Sequence, residues 1–183
     1  MTDKQKFLKD CTILCDCAEK KNQHIISALD RFNVAHEDVK LQYGDYSFRW
    51  QGKDFSLLCA IERKANVDEL YQNIMSDRNR LECEFYRAKQ MSSDFALLVE
   101  SVASWNELEA YKVPGKAMQD QHRKIADIGR YVDNTLQAWR LGNRYNFDVE
   151  FVKDKNNTAS IMLKRFFYFW HNYKTLTANR RKE

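Results

Sequence analysis

The stretch Leu57-Leu58-Cys59-Ala60-Ile61-Glu62-Arg63-Lys64 places three charged residues directly after an apolar run. A short run that is apolar at every position is typical of a strand buried on both faces, so the charges emerge at its end. A second β-like run covers Leu41–Gln51, and Gln51-Gly52-Lys53-Asp54 between the two runs suits a hairpin turn. The pattern therefore predicts two antiparallel strands, Leu41–Gln51 and Asp54–Arg63.

This hairpin would bring two carboxylates together. If the chain turns between Lys53 and Asp54, Asp45 pairs directly with Glu62, and a bulge would shift that pairing by one residue. Cross-strand neighbours on one face have Cβ atoms about 4.5–5.5 Å apart. Because side chains alternate along a strand, Lys64 shares the face of Glu62 while Arg63 points the opposite way.

Two acids and a lysine in this arrangement suit phosphodiester hydrolysis. Neighbouring carboxylates repel each other unless a cation lies between them, and Mg²⁺ is commonly held by one or two carboxylates with water and phosphate. Lys64 would orient or help deprotonate the attacking water and would stabilise charge on the phosphate. The expected products carry a 5′-phosphate and a 3′-hydroxyl. The alternative is a hairpin face with solvated charges, and the apolar run before Glu62 argues against it.

The rest of the chain predicts the order β-α-β-β-α-β-α-β-α, an α/β fold with a mixed central sheet flanked by helices. The remaining strands are expected over Thr12–Asp16, Phe95–Val99 and Phe147–Val152. The helices are expected over Asn22–Phe32, over Val67–Met91 with a break near Ser76-Asp77, over a long segment with an apolar stripe, and over Thr158–Thr177. That stripe comprises Met118, Ile125, Ile128, Val132, Leu136 and Trp139, follows a polar segment around Val113-Pro114-Gly115, and ends at Gly142.

Length and composition indicate one globular domain. The chain has 183 residues, one proline and five glycines, which leaves little room for a linker, and its formal charge of +4 is too mild to indicate nucleic acid. It lacks the features of a signal peptide and an apolar run long enough to span a bilayer. Five cysteines without an export signal indicate reduced thiols. We interpret the close group Cys11, Cys15 and Cys17 as structural rather than zinc-binding, since the four histidines lack ligand spacing.

The charged stretch resembles the signature of a known family. Gly-Asp, a variable gap and Glu-Arg-Lys-x-x-x-Asp are typical of the XPF-type (ERCC4-domain) structure-specific endonucleases, a branch of the PD-(D/E)XK nuclease superfamily. Here the signature reads Gly44-Asp45, then Glu62-Arg63-Lys64-Ala65-Asn66-Val67-Asp68. The similarity extends over roughly Cys11 to Trp170, through Ile13-Leu14-Cys15-Asp16-Cys17-Ala18-Glu19, Asp77-Arg78 with Arg80, and Leu97-Leu98-Val99-Glu100.

The resemblance implies a restriction-endonuclease-like fold and assigns roles to residues. Asp45 and Glu62 would ligate Mg²⁺, for which Mn²⁺ would substitute, Lys64 would assist the water, and Asp16 and Glu19 would complete the acidic cluster through bridging waters. Arg63 would contact DNA or organise the fold from the opposite face. Asp68 belongs to the motif and is also a candidate helix N-cap. The family arginine between the first two acids is Ala18 in this chain, so one basic contact near the site is missing.

Family members in eukaryotes and archaea add a helix-hairpin-helix domain, which we do not expect here. The resemblance instead implies a single nuclease domain over residues 1–183, with a core of about 11–175, like the stand-alone forms in phage and mobile elements. We therefore expect a cytoplasmic protein of a bacterial or phage-infected cell, or a nuclear one if the source is eukaryotic.

Basic and aromatic helical segments suggest where DNA and partners bind. Arg78 and Arg80, which are nearest the motif, are the first candidates for DNA contact, ahead of Arg87 and Lys89 and of the group His122, Arg123, Lys124 and Arg130. Each group has an ordinary solvated helix face as its alternative. The aromatic run Phe166–Trp170 with Tyr173 favours the core and an oligomer interface over base stacking. A homodimer formed through a helical face is expected by resemblance.

The leading hypothesis is thus a Mg²⁺-dependent endonuclease that cuts branched DNA (flap, fork or four-way junction) in recombination or repair. A resolvase for four-way junctions is the alternative within that class. Outside it, the alternative is a DNA-binding or scaffold module of the same fold without activity. The joint presence of Asp45, Glu62 and Lys64 favours the enzyme, because charges kept at a buried strand end cost stability.

Overall fold

In this computed structural model the protein is described over residues 1–91, 93–112 and 127–180. The polar segment around Val113-Pro114-Gly115, the stripe positions Met118 and Ile125, and the basic residues His122, Arg123 and Lys124 lie outside the described residues.

The secondary structure is mixed α/β, which confirms the predicted fold class. In the described ranges the strands are β1 Cys11–Asp16, β2 Ala35–Val39, β3 Tyr46–Trp50, β4 Lys53–Asp54, β5 Cys59–Lys64, β6 Asp94–Glu100 and β7 Asp148–Val152. The helices are α1 Asp3–Asp10, α2 Gln23–Arg31, α3 Val67–Ser76, α4 Arg78–Gln90, α5 Trp105–Glu109, α6 Ile128–Leu141 and α7 Thr158–Arg180, the last preceded by a 3₁₀ turn, Lys155–Asn157. The strands belong to a mixed seven-stranded sheet.

The chain divides into two compact units, and the first comprises Met1–Glu62 and Asn156–Glu183. Its strand order is β2-β1-β3-β5, with β4 on β3; β1 runs parallel to β2 and antiparallel to β3. Aromatic rings fill its core. Phe48 stacks on Phe55 with their ring centres 4.7 Å apart, and the ring centre of Phe166 lies 5.1 Å from that of Phe48. Phe166 and Trp170 are buried, so the core part of the prediction for this helix is confirmed, while Tyr168 is 55% exposed.

The sequence patterns missed two elements of this unit. Helix α1 begins with a capping box in which the side chains of Thr2 and Gln5 each accept the other's backbone N–H, and Phe7 anchors it in the core. Strand β2 is the edge strand, and Ala35–Val39 has too few apolar residues to be distinguished from a loop.

The second unit comprises Arg63–Lys155, and strand β5 runs from the first unit into it. Here β6 pairs in parallel with β7, and the helix break predicted near Ser76-Asp77 separates α3 from α4. Ile128, Val132, Leu136 and Trp139 form the buried face of α6, and Gly142 ends that helix, as predicted. The ring centre of Phe85 lies 4.4 Å from that of Phe147 and 5.6 Å from that of Trp139.

Helix α6 starts in close contact with the end of α5. A Cβ atom on Gly129 would lie 2.1 Å from the Leu108 carbonyl oxygen and 2.7 Å from that of Tyr111, while the Gly129 N–H donates to Tyr111 O at 3.1 Å. Only glycine allows this approach. No helix among the described residues is long and apolar enough to cross a membrane.

Candidate active site

The hairpin turns two residues earlier than predicted, yet it reaches the predicted register. The turn is Gln51-Gly52, where φ is 48° and 79°, and it joins β3 to the short strand β4. The Phe55 N–H still donates to Phe48 O at 3.0 Å, and residues 56–58 then leave the ladder before β5 begins at Cys59. Because this excursion compensates for the early turn, Tyr46 pairs with Ile61. That pair is adjacent to the expected Asp45–Glu62 pair and has the same register.

Asp45 is held beside β5 by its backbone. Its N–H donates to the carbonyl of Ile61 at 2.8 Å, the same residue that pairs with Tyr46. Gly44 before it has φ +73°, and a Cβ there would lie 3.1 Å from Ile61 O. The glycine of the signature is therefore required by a positive φ and by a close approach to β5.

Glu62 and Lys64 occupy the end of a strand whose six residues are all buried. Glu62 is 2% exposed and Lys64 is 4% exposed. Because side chains alternate along β5, these two residues share one face and Arg63 takes the other. Burying an ionised group to this degree is costly unless charged or hydrogen-bonding groups compensate for the lost water. Buried ionisable groups of this kind are frequent in functional sites.

Asp16, at the end of β1, is hydrogen-bonded to the backbone of Asp45: the Asp16 N–H donates to Asp45 O at 2.8 Å. Its carboxylate accepts the N–H groups of Ala18 and Leu41, each at 2.8 Å, and an ion pair from Lys40 at 3.3 Å. Asp16 thus organises the loops around Asp45 through hydrogen bonds that already use both of its oxygens.

Glu19 is half-buried and accepts the Lys21 N–H at 2.9 Å. Over the described ranges no group of three or more histidine, cysteine, aspartate or glutamate side chains is arranged to hold a metal. A Mg²⁺ ion needs fewer, since one or two carboxylates with water and phosphate suffice, and the oxygen donors of Asp45 and Glu62 match that requirement.

The cysteines agree with the structural interpretation. Cys11, Cys15 and Cys59 are buried free thiols, and Cys17 is exposed. Burial raises the pKa of Cys11 and of Cys15 to about 12, which keeps both thiols protonated at neutral pH.

Arg63 points away from the face of Glu62 and forms a buried ion pair. Its Nε donates to Glu100 Oε1 at 3.0 Å and its Nη2 to Oε2 at 2.7 Å, with the two side chains 4% and 1% exposed. Of the two roles considered for Arg63, this geometry supports organising the fold. Glu100 had no role among the sequence-based predictions, although an acid that ends the apolar strand β6 signals a buried partner.

Asp68 is not the N-cap of α3. Asn66 holds that position, and its side chain accepts the Glu69 N–H at 2.8 Å, so the N-cap interpretation of Asp68 was wrong by two residues. Asp68 instead accepts a short hydrogen bond from the Tyr111 hydroxyl. The motif aspartate thereby ties the start of α3 to the segment after α5.

Arg78 belongs to a charged cluster in the second unit. Arg78 and Arg144 both pair with Glu82, at 2.7 and 2.9 Å, and Tyr145 donates to the same carboxylate at 2.7 Å. Desolvation by burial alone would raise the pKa of Glu82, but the hydrogen bonds of Tyr145 and Arg78 and the charge of Arg144 hold it below its usual value. Two guanidinium groups that share one carboxylate leave a net positive charge.

That charge faces a cavity of about 280 Å³, which is lined by Arg78, Arg144 and a mixture of polar and apolar residues of α6: Tyr131, Asn134, Thr135, Ala138 and Trp139. The guanidinium of Arg78 also lies 5.3 Å from the centre of the Trp139 ring. Arg80 is 57% exposed and pairs with Glu84 at 3.1 Å on the surface of α4.

The model of the ERCC4 domain matches residues 15–164. The chain belongs to the ERCC4 domain family. A search of curated proteins finds no match. Among solved structures the chain is similar to XPF from Aeropyrum pernix, with 18% identity and a TM-score of 0.57, over 84% of this chain and 64% of that one. It is also similar to XPF from Aeropyrum pernix in complex with DNA, with 15% identity and a TM-score of 0.56, over 88% of this chain and 65% of that one.

At this identity the two structures establish the fold of this ERCC4 domain, and the chain spans about two thirds of their length. The family membership and the fold confirm the resemblance that the Gly44-Asp45 and Glu62-Arg63-Lys64 signature indicated.

Proposed function

We propose that this ERCC4-domain protein is a metal-dependent endonuclease that hydrolyses phosphodiester bonds in branched DNA. The observation that carries the proposal is the position of Asp45, whose N–H is bonded to Ile61 O next to the buried Glu62, with Lys64 two residues further along the same strand. The family match and the likeness to a protein solved with DNA support it.

The proposed division of labour follows from the chemistry of each side chain. Asp45 and Glu62 would hold Mg²⁺ or Mn²⁺, with Asp16 and Glu19 acting through water, and the ion would supply Lewis-acid activation of the scissile phosphate. Lys64 would orient the attacking water by hydrogen bonding and would stabilise negative charge on the phosphate oxygens. Burial strengthens these electrostatic interactions, since water screens them less.

DNA would be held mainly through its phosphates. Arg78, with Arg144 beside it, lines a concave surface, and a guanidinium fork suits phosphate oxygens. Arg80 would add a weaker contact from the solvent-exposed face of α4. Branched substrates, a homodimer formed through a helical face, and a role in recombination or repair complete the proposal.

The decisive experiment is cleavage of labelled flap, fork, four-way-junction, linear duplex and single-stranded DNA in Mg²⁺, Mn²⁺ or EDTA. Wild type should cut in either metal and not in EDTA, and Glu62→Ala and Lys64→Ala should abolish cutting while remaining folded. Glu109→Ala and Lys155→Ala are the matched controls, since each removes a like charge from an exposed position. Cutting that persists in Glu62→Ala would reject the site, and a folded wild type that binds but never cuts DNA would favour the inactive module.

A further inference from the structure

A second concave surface lies in the first unit, where the Gln51-Gly52 turn and β4 meet the C-terminal half of α7. The cavity measures about 220 Å³. Aromatic and basic side chains dominate its lining, which comprises Trp50, Gln51, Lys53, Phe55, Trp170, Tyr173, Lys174 and Thr177. The proposed catalytic residues are absent from this lining.

The two lysines of this aromatic pocket are placed on ring faces. The Lys53 ammonium lies 4.2 Å from the ring centre of Tyr173 and 5.3 Å from that of Phe55, and it hydrogen-bonds the Tyr173 hydroxyl. The Lys174 ammonium lies 5.1 Å from the ring centre of Trp170. Ammonium groups held on aromatic faces are fixed in position while they keep their charge.

Three carboxylates lie beside the pocket and outnumber its two lysines, so the partner of each carboxylate matters. Asp3 pairs with Lys174 at 3.5 Å, Asp10 accepts a hydrogen bond from Gln51 at 2.9 Å, and Asp54 caps the Ser56 N–H at 2.7 Å. None of these three contacts reaches Lys53. The Lys53 ammonium is therefore the group of this pocket that is best placed to meet an anion.

One of the lining residues, Trp50, also carries a buried hydrogen-bond donor. Trp50 lines the cavity, and its indole Nε1 is buried without an acceptor anywhere in the part of the chain that the structure describes. An indole N–H can only donate, and leaving a buried donor unsatisfied costs about 1–3 kcal/mol. A ligand with an acceptor atom would satisfy it.

We propose that this pocket binds an unpaired DNA nucleotide. The base would take the face of the Tyr173 ring that Lys53 now covers and would lie beside Trp50, whose indole N–H would turn to meet an acceptor of the base. Lys53 and Lys174 would pair with the adjoining phosphates. Aromatic rings beside lysines are the usual recognition chemistry for single strands, because any unstacked base presents a flat face. The inference rests on the proposed function in taking DNA as the ligand, and it adds a site that holds the unpaired arm of a branched substrate.

The test compares two oligomers of equal length, one of thymidylate and one of abasic sugar-phosphate, in EDTA so that cleavage plays no part. Wild type should bind thymidylate about 5–100-fold more tightly than the abasic oligomer, the range expected for stacking of one base. Tyr173→Ala should remove most of that preference, and Trp50→Phe, which keeps an aromatic ring but removes the N–H together with the pyrrole half of the indole, should reduce it. Lys53→Ala should weaken binding of both oligomers, whereas Lys155→Ala, an exposed lysine outside the pocket, should change binding of either much less.

Equal affinity for the two oligomers in wild type, or an unchanged preference in both Tyr173→Ala and Trp50→Phe, would overturn the inference. So would a loss of self-association in Tyr173→Ala without a change in DNA binding, since the pocket would then serve a second copy of the chain. Failure of the proposed cleavage site is separable, because it would appear as absent cutting by a protein that still prefers thymidylate.

Discussion

Arg63 and Glu100 form a bidentate ion pair at 3.0 and 2.7 Å that is almost completely removed from solvent. The pair links β5 to β6 through Arg63, the residue between Glu62 and Lys64. A buried pair of this kind fixes geometry more surely than it adds stability, because desolvation offsets much of its attraction. The arginine of the signature thus has a structural reason to stand between the two proposed catalytic residues.

Removal of one partner of this pair should be severe. Glu100→Ala leaves the guanidinium of Arg63 buried without its carboxylate and should lower the free energy of unfolding by about 3–5 kcal/mol. Urea denaturation followed by circular dichroism measures it. Arg80→Ala breaks an exposed pair and should cost at most about 1 kcal/mol. The double variant Arg63→Met with Glu100→Leu should recover much of the loss, and an equal loss in Glu100→Ala and Arg80→Ala would contradict the argument.

Gly129 offers a prediction about packing. In Gly129→Ala the new Cβ would meet the Leu108 carbonyl oxygen at 2.1 Å, so α6 must move away from α5. We expect a loss of about 1–3 kcal/mol or more, the usual cost of overpacking. Gly52→Asn is the control: its φ of +79° suits asparagine and no atom lies within 4 Å of its Cβ position. Thermal unfolding of both variants compares the costs, and similar midpoints would count against the close contact.

The sequence predicted those features that depend on local pattern. Apolar runs located β1, β5 and β6, and the spacing of Ile128, Val132 and Leu136 located α6. The Gly44-Asp45 and Glu62-Arg63-Lys64 signature identified the family. The predicted register at Tyr46 and Ile61 is correct although the turn was misplaced, because a later excursion compensates for the early turn. Local patterns alone cannot show such compensation.

Features that depend on distant partners were not predictable. The role of Glu100 requires Arg63, 37 positions earlier in the chain, and the hydrogen bond of Asp68 requires Tyr111. Nothing in the sequence distinguishes Arg144 from other surface arginines. Only the fold shows that Arg144 and Arg78 pair with the same carboxylate, that of Glu82. Asp16 was assigned to the acidic cluster by resemblance, and the fold adds that its oxygens accept the N–H groups of Ala18 and Leu41.

The cluster around Glu82 predicts a pH dependence of stability. The folded state holds the pKa of Glu82 below its ordinary value of 4.5, so folding favours the ionised form. This stabilisation is therefore fully present above about pH 4.5 and is lost as the pH falls through the lower folded-state pKa. Urea denaturation at several pH values should show a smaller acid-induced loss for Glu82→Gln than for wild type. Glu84→Gln, which removes a carboxylate that does not pair with Arg78 or Arg144, should behave like wild type. Parallel curves for all three proteins would reject the linkage.

The arginine pair predicts the salt dependence of DNA binding. If Arg144 contacts a phosphate beside Arg78, Arg144→Ala should reduce the slope of log affinity against log salt by about 1. Arg140→Ala is the matched control, since its guanidinium lies over Trp105 and outside the cavity lining. Fluorescence anisotropy with an uncut duplex in EDTA provides the measurement. Equal slopes for Arg144→Ala and Arg140→Ala would remove Arg144 from the DNA surface.

Asp16 and Asp45 should differ in how they respond to metal. Asp45→Asn should leave stability without metal nearly unchanged and should remove most of the stabilisation that Mn²⁺ gives, which for wild type is about 2.7 kcal/mol when the ion is at 100 times its Kd. Asp16→Ala should instead unfold more readily with or without metal, because two backbone N–H groups lose their acceptor. Its Mn²⁺-dependent shift should be smaller than that of wild type but present, since its expected contact with the ion is through water. Unfolding temperatures with Mn²⁺ and with EDTA separate the two roles, and a full Mn²⁺ shift in Asp45→Asn would exclude that carboxylate as a ligand.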